Sequence, residues 1–134
     1  MVANINQNFT KQIKNRRILV VDDEPNIRHV FSTMISFIGF DVDEAENGDK
    51  ALNCLLKSKF ALVLTDLNMP GMDGWTLAYR IKEISPETPV ILVTGEEREQ
   101  VLKKMKDSFV DSILFKPVRL HDVQKTFQSM LDRT

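Results

Sequence analysis

Five polar side chains in this sequence each close a short apolar run. Asp22 and Asp23 follow Ile18-Leu19-Val20-Val21, Asp66 follows the run over residues 60–64 through Thr65, Thr94 follows residues 89–93, and Lys116 follows Ser112-Ile113-Leu114-Phe115. Taken singly, each has an ordinary structural reading. An aspartate or threonine in such a place can cap a helix or shape a turn, and a lysine before Pro117 can be a solvated loop residue. Gathered at one place they would do chemistry. Three carboxylates within a few ångströms repel, and one takes up a proton unless a cation intervenes. Lys116 supplies one positive charge, and a hard divalent cation would supply the rest. Mg²⁺ fits that part: it prefers oxygen ligands, keeps several waters, and commonly combines one or two carboxylates with a phosphate. Acids, a lysine and a hydroxyl together therefore point to phosphoryl chemistry on a carboxylate, with the cations stabilising the oxygens of the transferred group.

The elements that must gather these residues are legible in the apolar pattern. The runs at residues 18–21, 60–64, 89–93 and 112–115 are continuous and rich in branched residues, as expected of strands buried on both faces. A weaker strand at residues 41–45, with Asp41, Asp43 and Glu44 leaving only Val42 and Ala45 apolar, is expected at a sheet edge. Helical periodicity fills the intervals. Ile27, Val30, Phe31, Met34, Ile35 and Ile38 recur after Pro25, with Asp23 or Glu24 as cap and Gly39 as stop. Ala51, Leu52, Leu55 and Leu56 follow the Asn47-Gly48 turn. Leu77, Ala78, Ile81 and Ile84 line a helix that ends before Pro86, and Leu120, Val123, Phe127, Met130 and Leu131 give the last helix a clean face. The helix beginning near Glu97 has only Val101, Leu102 and Met105. Its acidic start and its Lys103, Lys104 and Lys106 end suit the helix dipole. Five strand–helix pairs in succession imply a parallel sheet with right-handed crossovers. Ligands in such a fold sit at the carboxyl ends of the strands, which is where all five polar residues fall.

The chain has 134 residues, room for one domain, with a polar tail over residues 1–16 and the domain over 17–134. A net charge of -1 excludes a generally basic nucleic-acid binder. The small basic cluster of Lys11, Lys14, Arg16 and Arg17 reads as a solvated tail or short extra helix. One cysteine, Cys54, excludes an internal disulfide framework. No run approaches the ~20 apolar residues of a membrane span and residues 1–16 do not form a secretory signal, so a cytoplasmic protein is expected. His29 and His121 are expected at the surface, Trp75 partly exposed at a helix start, and Cys54 half-buried.

The motifs resemble those of a known family. Ile18-Leu19-Val20-Val21-Asp22-Asp23-Glu24-Pro25, Ala45-Glu46-Asn47-Gly48-Asp49-Lys50-Ala51-Leu52, Leu64-Thr65-Asp66-Leu67-Asn68-Met69-Pro70-Gly71-Met72-Asp73-Gly74, Pro89-Val90-Ile91-Leu92-Val93-Thr94-Gly95 and Phe115-Lys116-Pro117 are similar, in order and spacing, to the receiver domains of bacterial two-component response regulators, and most like the stand-alone chemotaxis-regulator type. The resemblance implies a flavodoxin-like, doubly wound five-stranded parallel sheet of order 2-1-3-4-5 with helices on both faces. It implies that Asp66 accepts a phosphoryl group from the phosphohistidine of a sensor histidine kinase or phosphotransfer protein. Asp23 would be a direct Mg²⁺ ligand, Asp22 the second acid, often acting through water, and the Asn68 backbone carbonyl a further ligand beside Asp66. Lys116 would pair with phosphoryl oxygens, Thr94 would move towards them on activation, and the Lys116-Pro117 bond would be cis. The protein would be a phosphorylation-driven switch, catalysing only its own phosphorylation and dephosphorylation. Its signal would be read by a protein target on the face formed by the fourth helix, fifth strand and fifth helix, without DNA or membrane binding in this chain.

The sequence departs from the family pattern at one place. Three positions before the lysine, where the family has a switching aromatic, stands Ile113, and Phe109 replaces the usual glycine. A stand-alone receiver is the first reading, with an excised domain of a hybrid kinase or longer regulator as the alternative. Two rivals use other chemistry. A Mg²⁺-dependent phosphohydrolase would place its nucleophile in an Asp-x-Asp arrangement after the first strand, whereas Asp22 and Asp23 are adjacent. A pure interaction module would keep the fold without the complete set of site residues.

Overall fold

A computed structural model of the protein describes residues 15–132. Five strands, β1 (Arg17–Val21), β2 (Asp41–Ala45), β3 (Leu62–Asp66), β4 (Val90–Thr94) and β5 (Ser112–Phe115), alternate with five helices, α1 (Pro25–Ile38), α2 (Gly48–Lys57), α3 (Gly74–Ile84), α4 (Arg98–Met105) and α5 (Leu120–Leu131). The strands form one parallel sheet in the order β2-β1-β3-β4-β5, as the sequence leads one to expect. The chain reverses its direction of winding between β2 and β3, so ligand-binding loops meet beyond the carboxyl ends of β1 and β3.

The continuous apolar runs are explained by the two layers they serve. Ile18, Val20, Leu62, Leu64, Ile91 and Val93 face α1 and α5, where they meet Phe31, Ile35, Ile38, Val123, Phe127 and Met130. The alternate residues Leu19, Val21, Val63, Val90 and Leu92 face α2 and α3, where they meet Ala51, Leu55, Leu77, Ala78 and Ile81. Successive side chains of a strand point to opposite faces, so a sheet covered on both sides needs apolar residues at every position.

Several expectations shift in detail. β3 begins at Leu62 rather than at residue 60: Phe60 and Ala61 lead into it, and the Ala61 amide donates to the Arg17 carbonyl. Val30, Leu56, Ile84 and Leu102, placed on apolar stripes by periodicity, are 48%, 69%, 39% and 40% exposed. Val30, Leu56 and Leu102 each lie at the rim of a stripe one residue, or roughly 100°, from a buried neighbour, and Ile84 lies in the last turn of α3, three residues past buried Ile81, where burial is already fading. Neither Asp23 nor Glu24 caps α1: Glu24 occupies the N-cap without a side-chain bond, and the Glu24 amide donates to Asp22 Oδ1 instead at 2.9 Å. Gly39 ends α1 as expected, at φ 119°, in the left-handed region that glycine enters without a Cβ clash. Asn15 and Arg16, assigned to the tail, already bond to the fold: Asn15 Nδ2 donates to the Lys59 carbonyl and the Arg16 carbonyl accepts from Asp41. Lys11 and Lys14 of the basic cluster lie outside the described residues. His29 and His121 are exposed, and Trp75 and Cys54 are half-buried. Among the described residues no helix is long and apolar enough to cross a membrane.

Candidate functional site

Asp22 follows β1 and Asp66 ends β3, and these strands are neighbours in register, Val21 beside Thr65. That pairing alone brings the two acids side by side, and Asp23 is the next residue in the chain. Their carboxylate oxygens, one from each residue, lie within 4.8 Å of one another. Asp22 is 4% exposed, Asp66 is half-buried and Asp23 is open to solvent. Lys116, following β5, reaches across β4 to place Nζ 3.6 Å from Asp66 Oδ1, an ion pair with room left between the groups.

The electrostatics follow from this crowding. Burial pushes the Asp22 carboxyl up to about 6; the Glu24 amide and Lys116 work against the rise, and Asp66 and Asp23 add to it. Burial also raises the Asp66 carboxyl, with Lys116 opposing and Asp23 reinforcing. Three acids against one lysine leave two negative charges without a partner. A hard cation with oxygen ligands fits this donor set, and would be held by the three carboxylates with water completing its shell.

The loops are tied so as to hold these groups. Arg28, one turn into α1, donates from Nη1 to the Asp22 carbonyl at 2.7 Å and from Nε to Glu44 at 2.8 Å, fastening the β1 end to α1 and to the edge strand. The loop after Asp66 closes where the Gly74 amide donates to the Leu67 carbonyl at 2.8 Å, and Asp73 caps α3 by accepting from Thr76. A Cβ at Gly74 would lie 2.5 Å from Leu92 Cδ2 and 2.8 Å from the Asp66 carbonyl oxygen, so only glycine lets α3 start this close to the strand end. Thr94, buried at the end of β4, accepts from the Glu96 amide through Oγ1 at 3.0 Å. Asn68, two residues past Asp66, is exposed and donates from Nδ2 to Glu96 at 2.7 Å. The Lys116-Pro117 bond is cis.

Sequence reading missed Arg28, Glu96 and Arg98. Arg28 could have been found from its place three residues beyond Pro25, on the first turn of a helix that must leave the site. Glu96 could have been found from its two-residue separation from Thr94. Nothing in spacing alone marks Arg98, whose guanidinium carbon lies 4.6 Å from the Phe115 ring centroid.

A family model described as the response regulator receiver domain matches residues 18–128. The chain is a receiver domain. Among relatives of this receiver, the sensor histidine kinase RcsC of Escherichia coli is 37% identical over 116 residues, which is 87% of this chain and 12% of that protein. The receiver thus spans about an eighth of the length of the sensor kinases it matches. Among solved structures, the chemotaxis protein CheY4 of Vibrio cholerae superposes with a TM-score of 0.81 at 28% identity, covering 87% of this receiver and 99% of that chain. The response regulator TrrA of Thermotoga maritima, solved in complex with Mg²⁺ and beryllofluoride, superposes with a TM-score of 0.76 at 30% identity, covering 87% of this receiver and 99% of that chain. Receivers of this kind belong to two-component phosphorelay signalling.

Proposed function

We propose that this receiver is a Mg²⁺-dependent phosphoacceptor switch in which Asp66 takes a phosphoryl group from a histidine kinase or phosphotransfer protein. The observation that carries this reading is the convergence of Asp22, Asp23 and Asp66 within 4.8 Å, with Lys116 beside Asp66. Of the three acids, Asp66 is the one paired with the lysine. An Asp66 carboxylate oxygen attacks the phosphorus of a phosphohistidine. The P–O bond forms as the P–N bond breaks, and the electron pair leaves with the donor imidazole, which takes a proton from solvent. Lys116 Nζ moves onto a phosphoryl oxygen and Thr94 turns its hydroxyl to another. Asp22, Asp23, Asp66 and the Asn68 carbonyl would hold Mg²⁺, which when bound would neutralise charge on the transferred group. The kinship with sensor kinases and with a regulator crystallised with a phosphoryl mimic supports the donor class and the metal. The receiver acts on itself, not on a free substrate.

Incubation with a small phosphodonor and Mg²⁺, read by intact mass, tests this. One phosphoryl is expected, absent in Asp66→Asn and absent with a chelator. Equal labelling of the variant would move the acceptor elsewhere. Separately, Mg²⁺ should raise the melting temperature of the native chain, because it binds the folded state and relieves carboxylate repulsion. The rise should vanish in Asp23→Ala.

A further inference from the structure

The aromatic expected three positions before Lys116 is absent, yet an aromatic stands beside the lysine. Phe115 immediately precedes Lys116 and is the register partner of Thr94 across β4 and β5. It therefore touches, through the backbone, both groups assigned to grip the phosphoryl. The Lys116 amide donates to the Thr94 carbonyl at 2.8 Å, closing the same corner. The Phe115 ring is half-buried, and Arg98, the first residue of α4, lies over it at 4.6 Å. Such a contact between a guanidinium and a ring face is attractive.

The rest of α4 is held weakly. Val101 is its one fully buried side chain, and Leu102 is 40% exposed. Its N-terminal approach depends on the Glu96 amide bonding to Thr94 Oγ1. Swinging this hydroxyl towards a phosphoryl on Asp66 would draw its oxygen away from the Glu96 amide. That would loosen the turn carrying Arg98, and with it the seat of the guanidinium on the ring.

We propose that Arg98 and Phe115 are positioning residues that couple the phosphorylation site to α4, standing in for the missing aromatic at position 113, with their contact holding α4 in the arrangement where Thr94 bonds to Glu96. This rests on the phosphoacceptor reading above. It adds that the signal leaves the site through the base of α4, baring an aromatic ring on the α4–β5 face.

Because the contact opposes the phosphoryl-gripping arrangement, removing it must tighten binding of a phosphoryl mimic by the free energy of the contact. For a contact open to solvent this is about a two- to fivefold gain in affinity. The test is titration of the Mg²⁺-loaded chain with beryllofluoride, followed by amide NMR and by the fluorine resonance of the bound ion. Arg98→Gln and Phe115→Leu should each bind about two- to fivefold more tightly than the native chain. Their α4 amides, before any mimic is added, should already lie part of the way along the native titration path. Arg98→Lys, which keeps the cation, should bind as the native chain does and measurably more weakly than Arg98→Gln. A merely structural role would lower melting temperature and leave the affinity unmoved. Unchanged or weaker binding in Arg98→Gln and Phe115→Leu, or an Arg98→Lys variant equal to Arg98→Gln, overturns the coupling while leaving the phosphoacceptor reading intact. Absence of bound beryllofluoride in the native chain overturns both.

Discussion

Helices α1 and α4 both start where a strand delivers residues to the site, and they are held in opposite ways. α1 runs 14 residues, buries Phe31, Ser32, Ile35 and Ile38, and is bolted to the β1 end by Arg28. α4 runs 8 residues, buries Val101 alone, and depends at its start on one hydroxyl and one ring. The acids sit on the side of the anchored helix, and Thr94 and Lys116, the groups proposed to answer a phosphoryl, sit on the side of the loose one. A fixed metal and acceptor site needs carboxylates that do not drift, because their mutual repulsion would otherwise drive them apart. A switch needs an element whose packing is small enough for one new ion pair and one new hydrogen bond to outweigh.

The largest effect expected from this contrast is in the anchored helix. Ile35→Ala empties a fully buried site between α1 and the sheet and should cost about 2–5 kcal/mol in urea denaturation. A cost below about 1 kcal/mol would show α1 to be no better anchored than α4.

Next is the carboxylate crowding that α1 holds in place. The Asp22 carboxyl is raised to about 6 in the folded chain, so between the ordinary carboxylate range and that value the folded state binds more protons than the unfolded. Stability from this group therefore falls as pH rises through that window, and above it the folded chain carries the full cost of the buried charge. Asp22→Asn keeps an oxygen for the Glu24 amide and removes the charge. In metal-free buffer it should stabilise the chain at pH 7 by about 1–2 kcal/mol, since water at the open side of the site screens part of the cost. The gain should shrink towards zero at pH 4. A pH-independent difference between the two proteins would remove Asp22 from the account.

The smallest effect is expected in the loose helix. Leu102→Ala removes a side chain that is 40% exposed and should change stability by no more than about 0.5 kcal/mol. Amides of α4 should exchange with solvent at lower protection than those of α1 in the same sample. Equal protection in the two helices would erase the distinction.

Much of this was legible in the sequence, and unevenly. Strand order, the two-faced sheet and the five strand-end residues followed from alternation of apolar runs and from motifs of a known family, because a parallel sheet forces its functional groups to one end. The weakness of α4 was visible in its thin stripe. What escaped was lateral. Whether Val30 or Leu56 is buried depends on how far a neighbouring element reaches over the helix rim, which periodicity within one helix does not contain. The ties made by Arg28 and Arg98 escaped for the same reason: each joins residues 6 to 17 positions apart across different elements. The substitution at Ile113 was legible as a loss, but the counterpart proposed for it, Phe115, needed the register of β4 and β5 to be seen beside Thr94.

The acidic lettering of β2 has a consequence for crowded solution. β2 pairs with β1 on one side only, so its outer row of amides and carbonyls is a template on which another strand could extend the sheet. Asp41, Asp43 and Glu44 occupy three of its five positions, and Arg17 and Arg28, which neutralise two of them, reach in from the β1 side of the strand and from α1. Two copies approaching edge to edge would set one acidic row against another. The charges that cost β2 its apolar burial thus disfavour the addition of another strand at this edge of the sheet.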